Sequence, residues 1–214
     1  MTLGMLTTGS DVLAVSDRDR ILQAMAECCT ESGYAETTVD AVIARAGVAP
    51  KDFESHFAGK EDCALAALNK IVSETLARIS MAGSESDDVV ERRKFEGKAI
   101  LELLADRPSF ATLGFVESRQ GGTPRMRDAY DSAARVLALM MERIGDAGTA
   151  NASARAALGG PEAVIRRELA AGRSARLPQL LSDFVYAVLV PFVGQREALR
   201  QARLAAGVAA EEGS

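Results

Sequence analysis

The sequence lacks tryptophan and has few aromatic residues, so its core cannot depend on large rings. Aromatic residues make up 5% of the 214 residues, whereas hydrophobic residues make up 48%. Such a core must be built from Ala, Leu, Val, Ile and Met, and several of these are strong helix formers. Because only 6 Pro are available to interrupt helices, the composition predicts an all-α fold.

Histidine and cysteine are also scarce, which restricts the chemistry available to the chain. His56 is the only histidine, and it has no second metal ligand or catalytic partner at a recognisable spacing. Cys28, Cys29 and Cys63 do not show metal-ligand spacing. We interpret them as buried apolar side chains, with a redox-sensing thiol as the alternative. The sequence therefore predicts no enzymatic activity, no metal site and no cofactor.

The chain has no uninterrupted apolar run of the roughly 18 residues that a membrane span needs. Residues 1–16 lack the basic start and long apolar stretch of a secretory signal. We therefore expect a cytoplasmic protein that does not contact a membrane, with 1–16 as a disordered tail and 206–214 as a frayed one. The net charge of −5 is unusual for a protein that binds nucleic acid.

The spacing of apolar residues predicts about nine helices. The first runs over 17–33, where Ser16 is the N-cap, Asp19 completes a capping-box-like start and Gly33 ends the helix. The other predicted helices cover 38–46, 50–57, 60–81, 87–105, 108–119, 125–145, 153–172 with an interruption at 159–161, and 177–205 with a kink at Pro191. We assign 17–60 to a small head and 61–205 to a larger body.

Residues 38–57 carry the most specific pattern in the chain. Thr38 can cap the first of two short helices, and Gly47 can end it in a left-handed conformation. Pro50 suits the first turn of the second helix. Two short helices with an apolar inner face and a tight glycine turn are typical of a DNA-binding helix-turn-helix.

The stretch from Thr38 to Lys60 resembles the head of the tetracycline-repressor (TetR) family of transcriptional regulators. The matching elements are Thr38-Val39, Ala46-Gly47-Val48, His56-Phe57 and Lys60-Glu61, in this order. The resemblance implies an N-terminal DNA-binding head on a helical body that binds a ligand and forms dimers.

The early residues of the second helix of such a motif face base edges in the major groove. The resemblance adds phosphate contacts at Thr38, His56 and Lys60. The predicted DNA-binding residues are Thr38, Ala49, Pro50, Lys51, Asp52, Glu54, Ser55, His56 and Lys60.

Glu54 departs from the family pattern, which usually has a phosphate-binding tyrosine at this position. A carboxylate repels a phosphate, and the head from Asp17 to Lys60 has eight acidic residues against five basic ones, a net charge of −3. Because DNA binding depends on phosphate neutralisation, this predicts weak, salt-sensitive binding or binding that needs cooperating dimers. Alternatively, Glu54 pairs with Lys51 three residues earlier.

The resemblance extends into the body through Arg166–Gly172, Leu177-Pro178 and Val190–Gly194. It implies that the last two long helices pair with their copies in a homodimer, and that an effector pocket lies between the middle helices. The pocket candidates are Phe95, Leu104, Phe110, Phe115, Arg119, Tyr130, Leu137 and Met141, with Glu117 and Gln120 as further polar candidates. Plain core packing is the alternative for each apolar candidate. A pocket of this composition favours a small lipophilic effector.

The sequence therefore predicts a repressor that a small lipophilic molecule releases from a roughly palindromic double-stranded DNA operator. One alternative is a small-molecule-binding protein of the same fold with weak or lost operator binding. An enzyme is the second alternative, for which the chain shows no catalytic constellation.

Overall fold

The structure is a computed structural model that describes the backbone of residues 16–142 and 150–207 and the side chains of 16–139 and 159–207. Within these ranges the regular elements are all helical, and the predicted all-α fold is confirmed. Residues 1–15 and 208–214, which make up most of the two predicted tails, lie outside the described residues. So do residues 143–149 and the side chain of Met141.

Nine helices cover the described part of the chain. The head contains α1 (Asp17–Glu36), α2 (Val39–Ala46) and α3 (Pro50–His56). The long helix α4 (Lys60–Gly83) leads into the body. The body continues with α5 (Val89–Asp106), α6 (Pro108–Thr112, a π-helical turn Leu113–Glu117 and Ser118–Gln120 in succession), α7 (Pro124–Glu142), α8 (Ala150–Ala170), a 3-10 segment (Ser174–Leu180) and α9 (Leu181–Ala205).

Helix ends in the head are set by local hydrogen bonds, as the sequence predicted. The Ser16 hydroxyl accepts from the backbone N–H of Asp19 at 3.1 Å and starts α1. The Thr38 hydroxyl accepts from the N–H of Ala41 at 3.2 Å and starts α2. Gly47 ends α2 with φ +63°, a left-handed conformation that glycine adopts without steric cost.

Two predicted breaks in the body are wrong. Helix α8 continues through Pro161, whose side chain is buried together with those of Ile165 and Leu169. This apolar packing offsets the loss of one backbone hydrogen bond. In α9 the backbone departs from helical geometry at Gly194 (φ +77°) rather than at Pro191, because glycine tolerates positive φ and proline cannot adopt it.

The main apolar cluster runs from the head into the body, and α4 contributes residues to it in both regions. Cys63, Ala64 and Leu68 on the first half of α4 are buried against the head and α6. Ile71 and Ile79 on the second half are buried in the body. Helix α1 packs against α2, α3 and α4 and also against α6, so the head is fastened to the body on two sides.

The C-terminal helix α9 leaves much apolar surface uncovered. Leu199 and Leu204 are 47% and 40% exposed. Contrary to the expectation from the sequence, Ser174–Ala205 is long and apolar enough to cross a membrane by length and composition alone, and only 28% of its most apolar window is buried. This test rests on length and composition alone, and the core helix of a soluble protein also passes it.

Replacing Gly97 by Ala should destabilise the protein. Gly97 on α5 faces Phe184 on α9, and an added Cβ would lie 2.7 Å from Phe184 Cδ1. Overpacking of this kind costs about 1–3 kcal/mol, more than the ~1 kcal/mol that Ala gains over Gly inside a helix. Thermal unfolding followed by circular dichroism should show a lower Tm.

Gly159→Ala is the matched control, because an added Cβ at this position of α8 meets nothing within 4 Å. Its melting temperature should rise slightly, since Ala favours the helix. If Gly97→Ala melts at or above the temperature of the wild type, the close packing of α5 on α9 is incorrect.

Candidate DNA-binding surface and effector cavity

Helix α3 is held by two buried phenylalanines and presents its other side to solvent. Phe53 and Phe57 are 2% and 4% exposed, and their ring centroids are 5.6 Å apart. The guanidinium of Arg18 on α1 lies 5.5 Å from the Phe57 ring centroid and ties α1 to the end of α3. The exposed residues of the loop and helix are Ala49, Pro50, Lys51, Glu54, Ser55 and His56, all of which belong to the predicted DNA-binding set.

Three predicted contact residues use their side chains for local structure. The Asp52 carboxylate accepts from the Ala49 N–H at 3.1 Å, and the Ser55 hydroxyl donates to the Asp52 carbonyl at 2.7 Å. The Thr38 hydroxyl caps α2, as described above. Asp52 is therefore directed back toward the start of α3, which reduces its availability to accept from a cytosine amino group.

Lys60 binds the backbone of the head. Its Nζ donates to the carbonyl oxygens of Tyr34 at 3.0 Å and Ala35 at 3.1 Å, and it lies 4.5 Å from the Tyr34 ring centroid. These carbonyls follow the break at Gly33 and have no partner in a continuing helix. Lys60 thus neutralises the end of α1, and its predicted phosphate contact stays a prediction.

The charge on the recognition surface is mixed. Lys51 and Glu54 are both exposed on α3, and among the described residues neither takes part in an ion pair. The suggested pairing of Lys51 with Glu54 is therefore not observed. Arg45 on α2 is occupied by Glu31 on α1, whose carboxylate lies 2.5 Å from it. This pairing lowers the pKa of Glu31. Among the described residues, the exposed side of α3 therefore presents Lys51 and Glu54 to solvent, neither of them in an ion pair.

The body contains a partly open apolar cavity of about 130 Å³. Its wall is formed by α4, α5, α6, α7, α8 and α9. Most of the wall is aliphatic, with contributions from Leu68, Ile71, Val72, Leu76, Ile79, Ile100, Leu137, Ile165 and Val188. A space of this kind suits an apolar molecule or an apolar part of a larger one.

Two charged residues of α5 also line this cavity. Arg93 and Glu96 are 7% and 8% exposed and form an ion pair one helical turn apart. Burial lowers the pKa of Arg93 and raises the pKa of Glu96, because both charged forms lose hydration. The sequence analysis missed this pair, since the run Glu91-Arg92-Arg93-Lys94 has the composition of a solvated helix face.

A second set of polar side chains lies on the side of the cavity formed by α6, α7 and α8. Tyr130 packs edge-on against Phe115 with ring centroids 5.7 Å apart, and the Arg119 guanidinium lies 5.3 Å from the Tyr130 ring. Arg119 also donates to Glu162 at 2.7 Å. Burial and the nearby Glu162 raise the pKa of Tyr130, so its hydroxyl stays protonated.

The structure separates the predicted pocket residues into two groups. Phe115, Tyr130 and Leu137 line the cavity, and Arg119 contacts Tyr130 at its edge. Leu104 and Phe110 are 1% and 2% exposed in the general core and do not line it, and Phe95 is not part of the wall. Apolar periodicity marks a buried face but does not distinguish cavity wall from filled core. Effector binding at these residues stays a prediction.

The π-helical turn of α6 connects the cavity to the head. Gly114 and Phe115 in this turn line the cavity, and Glu117 at its end accepts a hydrogen bond from the Tyr34 N–H at 2.8 Å. This bond joins residues 83 positions apart and supplies a partner for a backbone amide beside the Gly33 break. Glu117 is therefore a head-to-body contact, whereas the sequence suggested a pocket role for it.

The three cysteines are buried within the apolar cluster. Burial raises the pKa of Cys29 to about 11 and that of Cys63 to about 12. Thiols of this kind are poor nucleophiles at neutral pH. The structure therefore favours the interpretation of these residues as small apolar side chains.

Comparison with known proteins agrees with this architecture. Residues 21–67 match the family model for bacterial regulatory proteins of the tetR family. No curated protein matches the sequence. Among solved structures, the fatty acid degradation regulator FadR from Bacillus halodurans has a TM-score of 0.74 and 18% identity, with 85% of this chain and 97% of that chain covered.

Two further structures show the same fold. FadR from Bacillus subtilis in complex with stearoyl-CoA has a TM-score of 0.69 and 17% identity, with 82% of this chain and 97% of that chain covered. TylP, a tetR regulator from Streptomyces fradiae, has a TM-score of 0.64 and 19% identity, with 82% and 85% covered.

The two helices of the helix-turn-helix, α2 and α3, lie within the residues that match the tetR family model. Residues 21–67 therefore match the sequence of a tetR-family head, and the described part of the chain shares the helical fold of these solved structures.

Replacing Lys60 by Met should weaken the head without changing how DNA binding depends on salt. The variant leaves the Tyr34 and Ala35 carbonyls without their cation, so we expect a lower Tm and faster amide hydrogen exchange at the end of α1. Each lysine bound to a phosphate contributes about one unit to the slope of log K against log salt.

Lys51→Met is the control, since Lys51 is exposed on α3 without an ion pair. It should leave Tm near that of the wild type and reduce the salt slope of DNA binding. A reduced slope in Lys60→Met with unchanged Tm would assign Lys60 to the phosphate instead.

Proposed function

We propose that this protein is a ligand-responsive transcriptional repressor that a small lipophilic molecule releases from its operator. One observation carries the proposal: helix α4 begins beside the exposed recognition helix and lines the effector cavity further along its length. Leu68, Ile71 and Val72 on α4 contribute to the cavity wall. A ligand that displaces α4 would therefore also displace the head.

The exposed face of α3 supports the DNA-binding part of the proposal. Phe53 and Phe57 pack the buried side of α3 against the rest of the head. The side chains on the opposite side of α3 are short or polar and exposed to solvent. Such a surface can enter a major groove while the rest of the head lies against the backbone. A protein acting on chromosomal DNA in this way works in the cytoplasm.

The uncovered surface of α9 supports a homodimer formed by α8 and α9. Leu199 and Leu204 remain exposed in the single chain, and Val185, Leu189 and Ala198 form a second apolar cluster beneath the surface of α9. A twofold axis through this surface makes a self-complementary interface. Two heads related by such an axis bind half-sites about one DNA turn apart, so the operator is roughly palindromic.

The effector is a lipophilic molecule, in accordance with the aliphatic wall of the cavity. The similar FadR structure from Bacillus subtilis holds stearoyl-CoA, which shows that this fold can accept a molecule with a long apolar chain. Binding transmits to the head by two routes. One is α4, and the other is the π-helical turn of α6, where Phe115 lines the cavity and Glu117 binds Tyr34. The effector lowers operator affinity by its preference for the released conformation.

A second candidate function is small-molecule binding with weak or lost operator affinity. Glu54 favours it, because this exposed carboxylate on α3 is not neutralised by any described side chain and the head carries a net charge of −3. Both functions predict ligand binding, and only the first predicts a specific complex with DNA.

Titration of a fluorescent DNA duplex from upstream of the protein's own gene, followed by anisotropy, tests the first function. We expect a specific complex at about 50 mM salt whose affinity falls steeply toward about 200 mM. Glu54→Tyr should tighten this complex several-fold, because it replaces a repelled carboxylate with a hydroxyl that donates to phosphate.

Glu85→Tyr, which makes the same charge change at an exposed residue of the loop after α4, is the control and should leave affinity unchanged. If no specific complex forms at low salt, the repressor function is wrong and the second candidate stands. If Glu54→Tyr weakens binding, Glu54 makes a favourable contact with a base.

Filling the cavity should imitate the effector. Ala133 on α7 lines the cavity, so Ala133→Phe should reduce operator affinity by about five- to 150-fold, the usual range of an allosteric coupling. Adding Glu117→Ala should restore part of the lost affinity, because this variant removes the bond between the π-helical turn and Tyr34.

Ser132→Phe places the same ring on the exposed side of α7 and should leave operator affinity unchanged. The double-variant cycle gives the coupling carried by Glu117. If the effects of Ala133→Phe and Glu117→Ala simply add, this hydrogen bond does not transmit occupancy of the cavity.

A further inference from the structure

The ion pair of Arg93 and Glu96 is unusual for a cavity whose wall is otherwise mostly aliphatic. The side chains of Arg93 and Glu96 are 7% and 11% exposed, and burial of two charges costs free energy that their attraction does not reliably repay. A pair of apolar side chains would serve packing at least as well. Buried charges in a binding cavity therefore favour an explanation by function.

The position of the pair gives it a defined place in the cavity. Arg93 and Glu96 lie on the same helix as Gly97 and Ile100, which also line the wall. On the other side, Glu96 Oε1 lies 2.8 Å from the position that a Cβ of Gly83 would take. Glu96 is thus held between α5 and the end of α4, and the cavity has one strongly polar end on α5.

Both carboxylates of the described cavity wall are already paired with guanidiniums. The wall contains two carboxylates, Glu96 and Glu162. Glu96 is paired with Arg93, whereas Glu162 lies within reach of two guanidiniums, those of Arg119 at 2.7 Å and Arg166 at 3.7 Å. Arg119 and Arg166 approach Glu162 from outside the wall, so Arg93 is the one guanidinium among the described wall residues. An ammonium entering this space meets carboxylates that are already paired.

Arginine is suited to exchange one carboxylate for another. Its planar guanidinium presents donors in a fork that matches both oxygens of a carboxylate. The raised pKa of Glu96 reduces the cost of neutralising this residue when a second carboxylate arrives. The aliphatic residues beyond the pair then receive the apolar part of the same molecule.

We propose that Arg93 binds the head group of the effector, and that the effector is an amphiphilic carboxylate with an apolar chain lying along the cavity wall. This inference rests on the proposed function for the existence of an effector, and it adds the chemical class. Arg93 acts as a specificity-determining residue, because it distinguishes an acid from an alcohol or amine with the same chain.

The test compares three eight-carbon probes, octanoate, 1-octanol and octylamine, by isothermal titration calorimetry with the full-length protein. Octanoate should bind at least about tenfold more tightly than either of the others, since a hydrogen-bonded charge contributes about 1.5–3 kcal/mol. Glu96→Gln should tighten octanoate binding several-fold and leave 1-octanol unchanged, because it removes the competing carboxylate.

The double variant Arg93→Leu/Glu96→Leu removes both charges together and should fold, because replacing a buried ion pair as a unit by apolar side chains is often neutral or stabilising. It should bind 1-octanol as the wild type does and lose the preference for octanoate. Lys98→Leu is the control for charge on the same helix, since Lys98 is exposed, and it should retain the preference.

Equal or tighter binding of 1-octanol or octylamine by the wild type, or no binding of any probe, would overturn the inference. So would a preference for octanoate that survives in the double variant. If the double variant does not fold, the inference is still overturned when Glu96→Gln binds octanoate with the same affinity as the wild type. Binding of operator DNA is measured in parallel by fluorescence anisotropy. If the inference about Arg93 is overturned but a specific complex with DNA still forms, the proposed repressor function is retained.

Discussion

The packing of α4 against both parts of the molecule is the constraint on which the rest of the structure depends. Its first turns are buried against α1 and α6, and its later turns form one side of the cavity. Because the same rigid helix serves both regions, the apolar core cannot be divided into two independent parts. A change in the volume enclosed by the body is therefore felt at the recognition helix, through close packing that tolerates few intermediate positions.

The hydrogen bond from Tyr34 to Glu117 reinforces this connection at a weak point of α1. Gly33 breaks the helix with φ +79° and exposes backbone groups that need partners. Lys60 satisfies carbonyls on one side of the break, and Glu117 satisfies an amide on the other. The break in α1 is therefore satisfied by polar side chains from both α4 and α6, close to the π-helical turn that lines the cavity. An irregular helical turn of this type commonly coincides with a functional site.

Local signals in the sequence predicted the structure best. The ends of α1 and α2 are set by side chains of Ser16 and Thr38 that reach only three residues along the chain, and Gly47 supplies its own conformation. The predicted break at Pro161 failed because this residue is buried in the body, and the predicted kink at Pro191 failed because the backbone departs from helical geometry at Gly194 instead. The sequence also failed to distinguish Phe115, on the cavity wall, from Phe110, in the filled core, because both follow the same apolar spacing.

The sequence by itself determined the helical class, the helix-turn-helix and the exposed face of α3, since these follow from spacings of three and four residues. Only the tertiary structure decided which partner each long side chain takes. It turned Lys60 toward backbone carbonyls, directed Glu117 to an amide in the head and buried Arg93 with Glu96 in an apolar cavity. The physical reason is that a helical pattern defines a face, whereas the neighbour of that face comes from a distant part of the chain.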